Sequence, residues 1–287
     1  MWFLVSSMKV EASAGSQDMQ PLLKVENLVK RYGKRTFADA REDLLALDGV
    51  SFTILPGTTL AVVGESGSGK STLASCLACL ESPTTGNIWF EGKDLVKLGE
   101  RQLRQVRPQI QLIFQDPASS LNSRWSVLEI LVEPLLLQRK FNREEMKQRA
   151  GSLLERVGLS PDIMQRPPAQ LSGGQRQRLA IARALSLEPK LLILDEALSA
   201  LDCSMQAQIA NLLVELQSSL GMTYLFITHD LAMAAHLADE IAVMNRGRFV
   251  EQGSAKTILN QPEHEITRQL LAAVPKFTRA APPALER

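Results

Sequence analysis

Leu60-Ala61-Val62-Val63-Gly64-Glu65-Ser66-Gly67-Ser68-Gly69-Lys70-Ser71-Thr72 is the stretch that decides how this chain is built. Four consecutive apolar residues give way to a glycine- and serine-rich turn, and the helix-patterned run Lys70–Leu80 follows, so the stretch reads as buried strand, loop and helix. The order G-x-x-x-x-G-K-S in that context is a phosphate cradle. Its glycines let successive backbone N–H groups converge on phosphate oxygens, and the helix N-terminus adds partial positive charge. Lys70 supplies a mobile full charge to the β- and γ-phosphates of a nucleotide, and the Ser71 hydroxyl is placed to ligate Mg²⁺. The candidate phosphate-binding set is therefore Gly64, Glu65, Ser66, Gly67, Ser68, Gly69, Lys70, Ser71 and Thr72.

Outward from this unit, β-rich runs at Leu23–Val29, Val50–Ile54 and Asn87–Phe90, separated by turn formers, predict a small antiparallel element. Further buried-strand candidates are Gln111–Phe114, Leu191–Leu194, Tyr224–Ile227 and Ile241–Met244, which with intervening helices predict a mostly parallel, helix-covered sheet. Ser126–Leu185 reads helical throughout, with Leu128–Leu137 interrupted by Pro134, and is too long for a crossover. It predicts an inserted helical subdomain over about residues 116–186. After about Gln252 a helical tail is expected over 256–287, and residues 1–20 are expected to be disordered or to precede the true start, with Met8 and Met19 as alternative starts.

Composition excludes several functions. The chain has 287 residues, 45% apolar and 22% charged, with 32 Lys and Arg against 31 Asp and Glu, which is globular and nearly neutral. That balance argues against nucleic-acid binding by charge alone. The longest charge-free run, between Asp48 and Glu65, is broken by Pro56 and falls short of the roughly 20 apolar residues that span a bilayer. Three cysteines build no disulfide framework and suggest a reducing compartment. Cys76 and Cys79 have no second pair or nearby His to complete a zinc site, so they read as small apolar residues.

Two further motifs carry chemistry. Leu191-Leu192-Ile193-Leu194-Asp195-Glu196 is a buried strand ending in two carboxylates, one able to hold a Mg²⁺-bound water (Asp195) and the other to polarise an attacking water (Glu196). Ser172-Gly173-Gly174-Gln175, before the helix-patterned Gln175–Leu185, offers a hydroxyl and backbone amides at a helix start, and equally suits an ordinary helix cap. With this motif just upstream of the Asp-Glu strand, the sequence from about Leu22 to Gly253 resembles the ATP-binding subunits of ABC transporters. The resemblance implies an α/β fold: a P-loop NTPase (RecA-like) core over about 21–255, with the antiparallel β-subdomain and the helical subdomain set into it.

The resemblance assigns roles one residue at a time. Ser172, Gly173, Gly174 and Gln175 are expected to cap the γ-phosphate held by a facing subunit, with Asp202 in the loop Ser199-Ala200-Leu201-Asp202 crossing the interface. Gln115 is expected to approach Mg²⁺ and the water, and His229 in Ile227-Thr228-His229-Asp230 to contact the γ-phosphate. Tyr32 resembles the aromatic that stacks on adenine, although the polar insertion Gly33–Asp43 leaves Phe37 as a competitor. Asp116-Pro117-Ala118-Ser119-Ser120-Leu121-Asn122-Ser123-Arg124 and the tail Thr267–Pro275 are similar to the oligopeptide/dipeptide/nickel importer branch, departing at Ser123 and at Pro262-Glu263-His264-Glu265. That branch implies import powered by ATP and Mg²⁺, two membrane-spanning permease subunits, and a second ATP-binding subunit, different from this chain or a copy of it. It also implies an extracytoplasmic solute-binding protein and a place on the cytoplasmic face of the membrane. Trp125 is read either as a contact for a membrane subunit or as core of the helical subdomain. The alternative function is a soluble ABC-type ATPase of translation or DNA maintenance.

Overall fold

The computed structural model describes residues 20–34, 42–116, 120–138 and 141–273. Two sheets organise them. A four-stranded antiparallel sheet has the order β2-β1-β4-β5, from β1 (Leu23–Lys34), β2 (Glu42–Ile54), β4 (Thr85–Phe90) and β5 (Lys93–Asp94). A six-stranded sheet has the order β10-β9-β3-β8-β7-β6, from β3 (Thr59–Val63), β6 (Ile110–Ile113), β7 (Leu191–Asp195), β8 (Thr223–Thr228), β9 (Glu240–Asn245) and β10 (Arg248–Ser254). All its pairings are parallel except β10 with β9. β3, β7 and β8 are buried at every position, as continuous apolar runs in a sheet covered on both faces require.

Alternate residues of these strands enter two separate cores. Leu60, Val62, Leu191, Ile193, Leu225 and Ile227 pack with the antiparallel sheet and with helix α1 (Lys70–Leu77). Ala61, Val63, Leu192, Leu194, Tyr224 and Phe226 pack instead with α3 (Val127–Gln138), α4 (Arg143–Arg156), α5 (Gly173–Leu185), α6 (Cys203–Leu220) and α7 (Leu231–Leu237). The period-2 alternation of a strand thus assigns α1 to one face and the helical region to the other.

Several elements differ from the sequence expectation. α3 runs straight through Pro134, because Ile130, Leu131 and Leu135 are buried on either side and tertiary packing outweighs the one N–H that proline lacks. The stretch expected to be helical throughout contains irregular turns, with 3₁₀ segments at Pro161–Gln165 and Pro168–Gln170. The insertion beginning at Gly33 starts as paired strand, with Gly33 opposite Asp43 and Lys34 opposite Glu42. α2 (Glu100–Val106) was not anticipated. The chain remains a strand as far as Ser254, before α8 (Ala255–Asn260) and α9 (Glu265–Ala273). α9 is anchored by Glu251 of β10, whose carboxylate accepts from the N–H of Glu263 (2.9 Å), the N–H of His264 (3.0 Å) and the hydroxyl of fully buried Thr267.

Candidate nucleotide site

Strand order and register build the site. β3, β8, β7 and β6 lie side by side and parallel, so the residues leaving their C-terminal ends form a row. Val63 pairs with Thr228, Asp195 with Ile227, and Ile113 with Leu194, which sets the Gly64 loop, His229, the Asp195-Glu196 pair and Gln115 along one edge. Ligands of open α/β sheets bind at that edge.

The loop between β3 and α1 is locked from behind. The N–H of Gly247, in the β9–β10 turn, donates to the Ser68 carbonyl (2.8 Å). A Cβ on Gly64 would stand 2.2 Å from the Met244 carbonyl, so only glycine fits that approach. Gly69, at φ +110°, precedes α1 and brings no side chain to cap it. Other helices differ: Asn142 caps α4, Ser172 α5, Asp202 α6, Asp230 α7 and Ser254 α8. The first turn of α1 therefore leaves its N–H groups for an anion, with Glu65, Ser66 and Gly67 exposed in front of it.

Lys70 is 4% exposed and folds back into the loop, donating to the carbonyls of Gly64 (2.8 Å) and Glu65 (2.7 Å). Burial pushes its pKa below the ordinary lysine value, while the carboxylates of Glu196 and Asp195 oppose the shift. Ser71 Oγ donates to Asp195 Oδ1 (3.2 Å). Burial pushes the Asp195 carboxyl up; the Ser71 hydrogen bond opposes this, the neighbouring Glu196 charge adds to it and Lys70 opposes it. Glu196 lies 4.0 Å from Lys70 Nζ on one side and 4.0 Å from His229 Nδ1 on the other. Its backbone is left-handed (φ +48°), held by its N–H donating to Ile227 O (3.0 Å) and by its carbonyl accepting from the Ser199 hydroxyl (2.7 Å). Gln115 is exposed, two residues beyond Ile113. Thr72 sits in the first turn of α1, within reach of the Tyr32 side chain.

Ser172–Gln175 and Asp202 form a second group. Ser172 and Gln175 make a reciprocal capping box, with Gln175 N–H donating to Ser172 Oγ (3.3 Å) and Ser172 N–H to Gln175 Oε1 (2.9 Å). Gly173 lies against Leu201, and buried Gly174 lies against Met205, in the turn that Asp202 caps through the Met205 N–H (2.9 Å). Among the described residues no hydrogen bond or ion pair links this group to Lys70, Asp195 or Glu196, and Ser172, Gly173 and Asp202 are exposed. Phe37, Pro117, Ala118 and Ser119 lie outside the described residues. Sequence reasoning missed the left-handed backbone at Glu196, the Gly247 tie on Ser68 and the contacts of Tyr32 with Glu81 and Lys30; Ile227, Gly247 and Glu81 reach these positions from distant chain segments.

A hydroxyl beside a carboxylate, Ser71 with Asp195, is a hard oxygen donor set suited to Mg²⁺. The phosphate edge is open. Two surface hollows of about 420 and 480 Å³ lie elsewhere, one along α4 and the other between β2 and β10, and neither is lined by a residue of this row.

Comparison with known proteins gives a consistent picture. Residues 47–199 match the ABC transporter family model. The dipeptide transport ATP-binding protein DppF of Escherichia coli (strain K12) is 47% identical over 259 residues, covering 90% of this chain and 78% of that protein. The di/tripeptide transport ATP-binding protein DppF of Pseudomonas aeruginosa is 44% identical, covering 90% and 80%. Among solved structures, the ATP-binding cassette MJ0796, a dimer in a post-hydrolysis state with ADP and Pi, superposes with a TM-score of 0.73 at 31% identity, over 81% of this chain and 98% of that one.

Proposed function

This chain belongs to the ABC transporter family as one of its ATPases, and from that premise we propose that it powers import of di- and oligopeptides through separate membrane-spanning subunits. The observation that carries the catalytic reading is the position of Glu196, 4.0 Å from both Lys70 and His229 at the sheet edge. The cargo rests on the names of the relatives, each described as a dipeptide or di/tripeptide transport protein.

In this reading the arriving triphosphate replaces the two carbonyls that Lys70 now contacts, and the amides of the Gly64–Thr72 loop and helix start hold the β-phosphate. Ser71 would ligate Mg²⁺, with Asp195 holding it through water and Gln115 near it, and the ion would supply neutralisation of phosphate charge. Glu196 accepts a proton from the water that attacks the γ-phosphorus in line as the bond to ADP breaks, and His229 steadies the γ-phosphate. Ser172–Gln175 and Asp202 serve the site of a facing ATP-binding subunit, whether a different chain or a second copy. The exposure of Ser172, Gly173 and Asp202, and the lack among the described residues of any hydrogen bond or ion pair from this group to Lys70, Asp195 or Glu196, support a role in trans. No helix among the described residues is long and apolar enough to cross a membrane, in keeping with a peripheral place on the cytoplasmic face beneath two permease subunits. An external solute-binding protein would deliver the cargo.

Two measurements test this. Glu196→Gln should lower ATP turnover by about 10²- to 10⁴-fold, the usual contribution of a general base, while ATP binding persists; retained turnover refutes the role of Glu196. Co-expression with its membrane subunits and binding protein should restore growth of a dipeptide-transport-deficient amino-acid auxotroph on dipeptides. Growth only on the free amino acid refutes the cargo.

A further inference from the structure

The loop that follows α1 is stitched to β1. Lys30 Nζ donates to the Ser82 carbonyl (2.8 Å), the N–H of Arg31 to Thr84 Oγ1 (2.9 Å), and the N–H of Thr84 to the Val29 carbonyl (2.7 Å). Glu81 in this loop is fixed to the helix end through its N–H and the Ser75 carbonyl (3.2 Å). Its carboxylate accepts from the Tyr32 hydroxyl (2.5 Å) and pairs with Lys30 Nζ (3.1 Å). Lys30 Nζ also stands 5.0 Å from the centroid of the Tyr32 ring, over one face. The Tyr32 phenol also interacts electrostatically with Thr72 and Cys76 of α1, the helix that opens with Lys70 and Ser71.

We propose that Glu81 is a positioning residue for nucleotide binding: it holds Tyr32, directly at the hydroxyl and through Lys30 on one ring face, as a preset platform for the adenine ring. This rests on the reading of Tyr32 as the residue that stacks on the base. A tyrosine ring free to rotate loses side-chain entropy when a base lands on it; a ring already tied at its hydroxyl has lost that entropy on folding. Because Glu81 and the phosphate loop sit at opposite ends of one short helix, the tie also fixes the distance between base platform and phosphate cradle. The protonation states agree. The Tyr32 hydrogen bond and then Lys30 hold the Glu81 carboxyl below its ordinary value. Burial and then Glu81 push the Tyr32 phenol above its own, so at neutral pH one donates and the other accepts.

The test compares two anions, ATP and inorganic tripolyphosphate, by equilibrium binding to the full chain. Glu81→Ala and Tyr32→Phe should each raise the Kd for ATP by about three- to tenfold, the cost of ordering one side chain. The double variant should be no weaker than either single one. Tripolyphosphate, which has no base to stack, should bind all of them as it binds the original chain, and Glu81→Gln, which keeps an acceptor, should regain most of the ATP affinity. Equal weakening of ATP and tripolyphosphate would overturn the proposal by showing general damage to the loop. Unchanged ATP affinity in Glu81→Ala alongside weakened binding in Tyr32→Ala would overturn it while leaving the stacking role intact. Unchanged affinity in Tyr32→Ala would overturn the stacking role and the proposal with it.

Discussion

At the scale of single residues, Gly64 and Gly67 of one loop require glycine for different physical reasons. A methyl at Gly64 collides with the backbone of β9, whereas Gly67 has nothing within 4 Å and needs glycine only for its φ of +77°. Gly64→Ala should therefore cost about 1–3 kcal/mol by overpacking and shift the loop. Gly67→Ala should cost about 1–2 kcal/mol of backbone strain with the loop in place. Chemical denaturation and ATP titration of the two variants separate these outcomes, with the larger loss of ATP affinity expected at Gly64. Lys70 gives a pH prediction. Its folded pKa lies below the ordinary 10.5, and a polyanion would raise it again, so ATP binding should take up a proton in the window just below 10.5. Calorimetry in buffers of different ionisation enthalpy reads that uptake directly. The phosphate loop was legible because its chemistry is confined to thirteen adjacent residues. The left-handed backbone of Glu196 was not, because the Ile227 carbonyl that holds its N–H comes from a neighbouring strand.

At the scale of elements, periodicity and burial separate what could be read from what could not. The central strands were legible as short apolar runs since both of their faces are covered. β10 was not, because along a sheet edge Phe249, Val250 and Glu251 are half-buried in succession, no residue of the strand is fully buried, and no period stands out. Pro134 misled for the opposite reason, a strong local signal overruled by packing. The anchoring of α9 on Glu251 has a pH signature. Burial raises the Glu251 pKa, but hydrogen bonds from Thr267 and from the N–H groups of Glu263 and His264 outweigh it and hold it below 4.5. A depressed carboxyl pKa contributes stability that is present above the unfolded value and is lost as pH falls through the folded one. Amide exchange in Glu265–Ala273 should therefore accelerate as pH drops below about 4.5 after correction for intrinsic rates, and Glu251→Ala should show the same acceleration at neutral pH. Trp125 packs half-buried against the helical core, so Trp125→Ala should lower stability by about 3 kcal/mol or less, a partly exposed aromatic costing less than a fully buried one.

At the scale of the whole molecule, the proposed function makes the phosphate edge half of an enclosure. With Ser172 and Asp202 facing outward, the Glu196→Gln variant should form an ATP-dependent dimer by light scattering if two copies complete each other. A persistent monomer with ATP bound would instead identify the facing subunit as a different chain. The sheet at the centre carries a further consequence. Its strands send even-numbered positions to one core and odd-numbered positions to the other along β3, and no side chain belongs to both. The sheet works as a party wall between two independently furnished interiors. Exchanging sets of residues on the helical side for those of a relative should therefore leave the side that seats α1 packed as it is. A chimaera that replaces residues 120–185 with those of a relative should keep its ATP affinity, measured by equilibrium binding; on the proposed reading, any change in the membrane subunit it engages would then appear without a change in nucleotide binding.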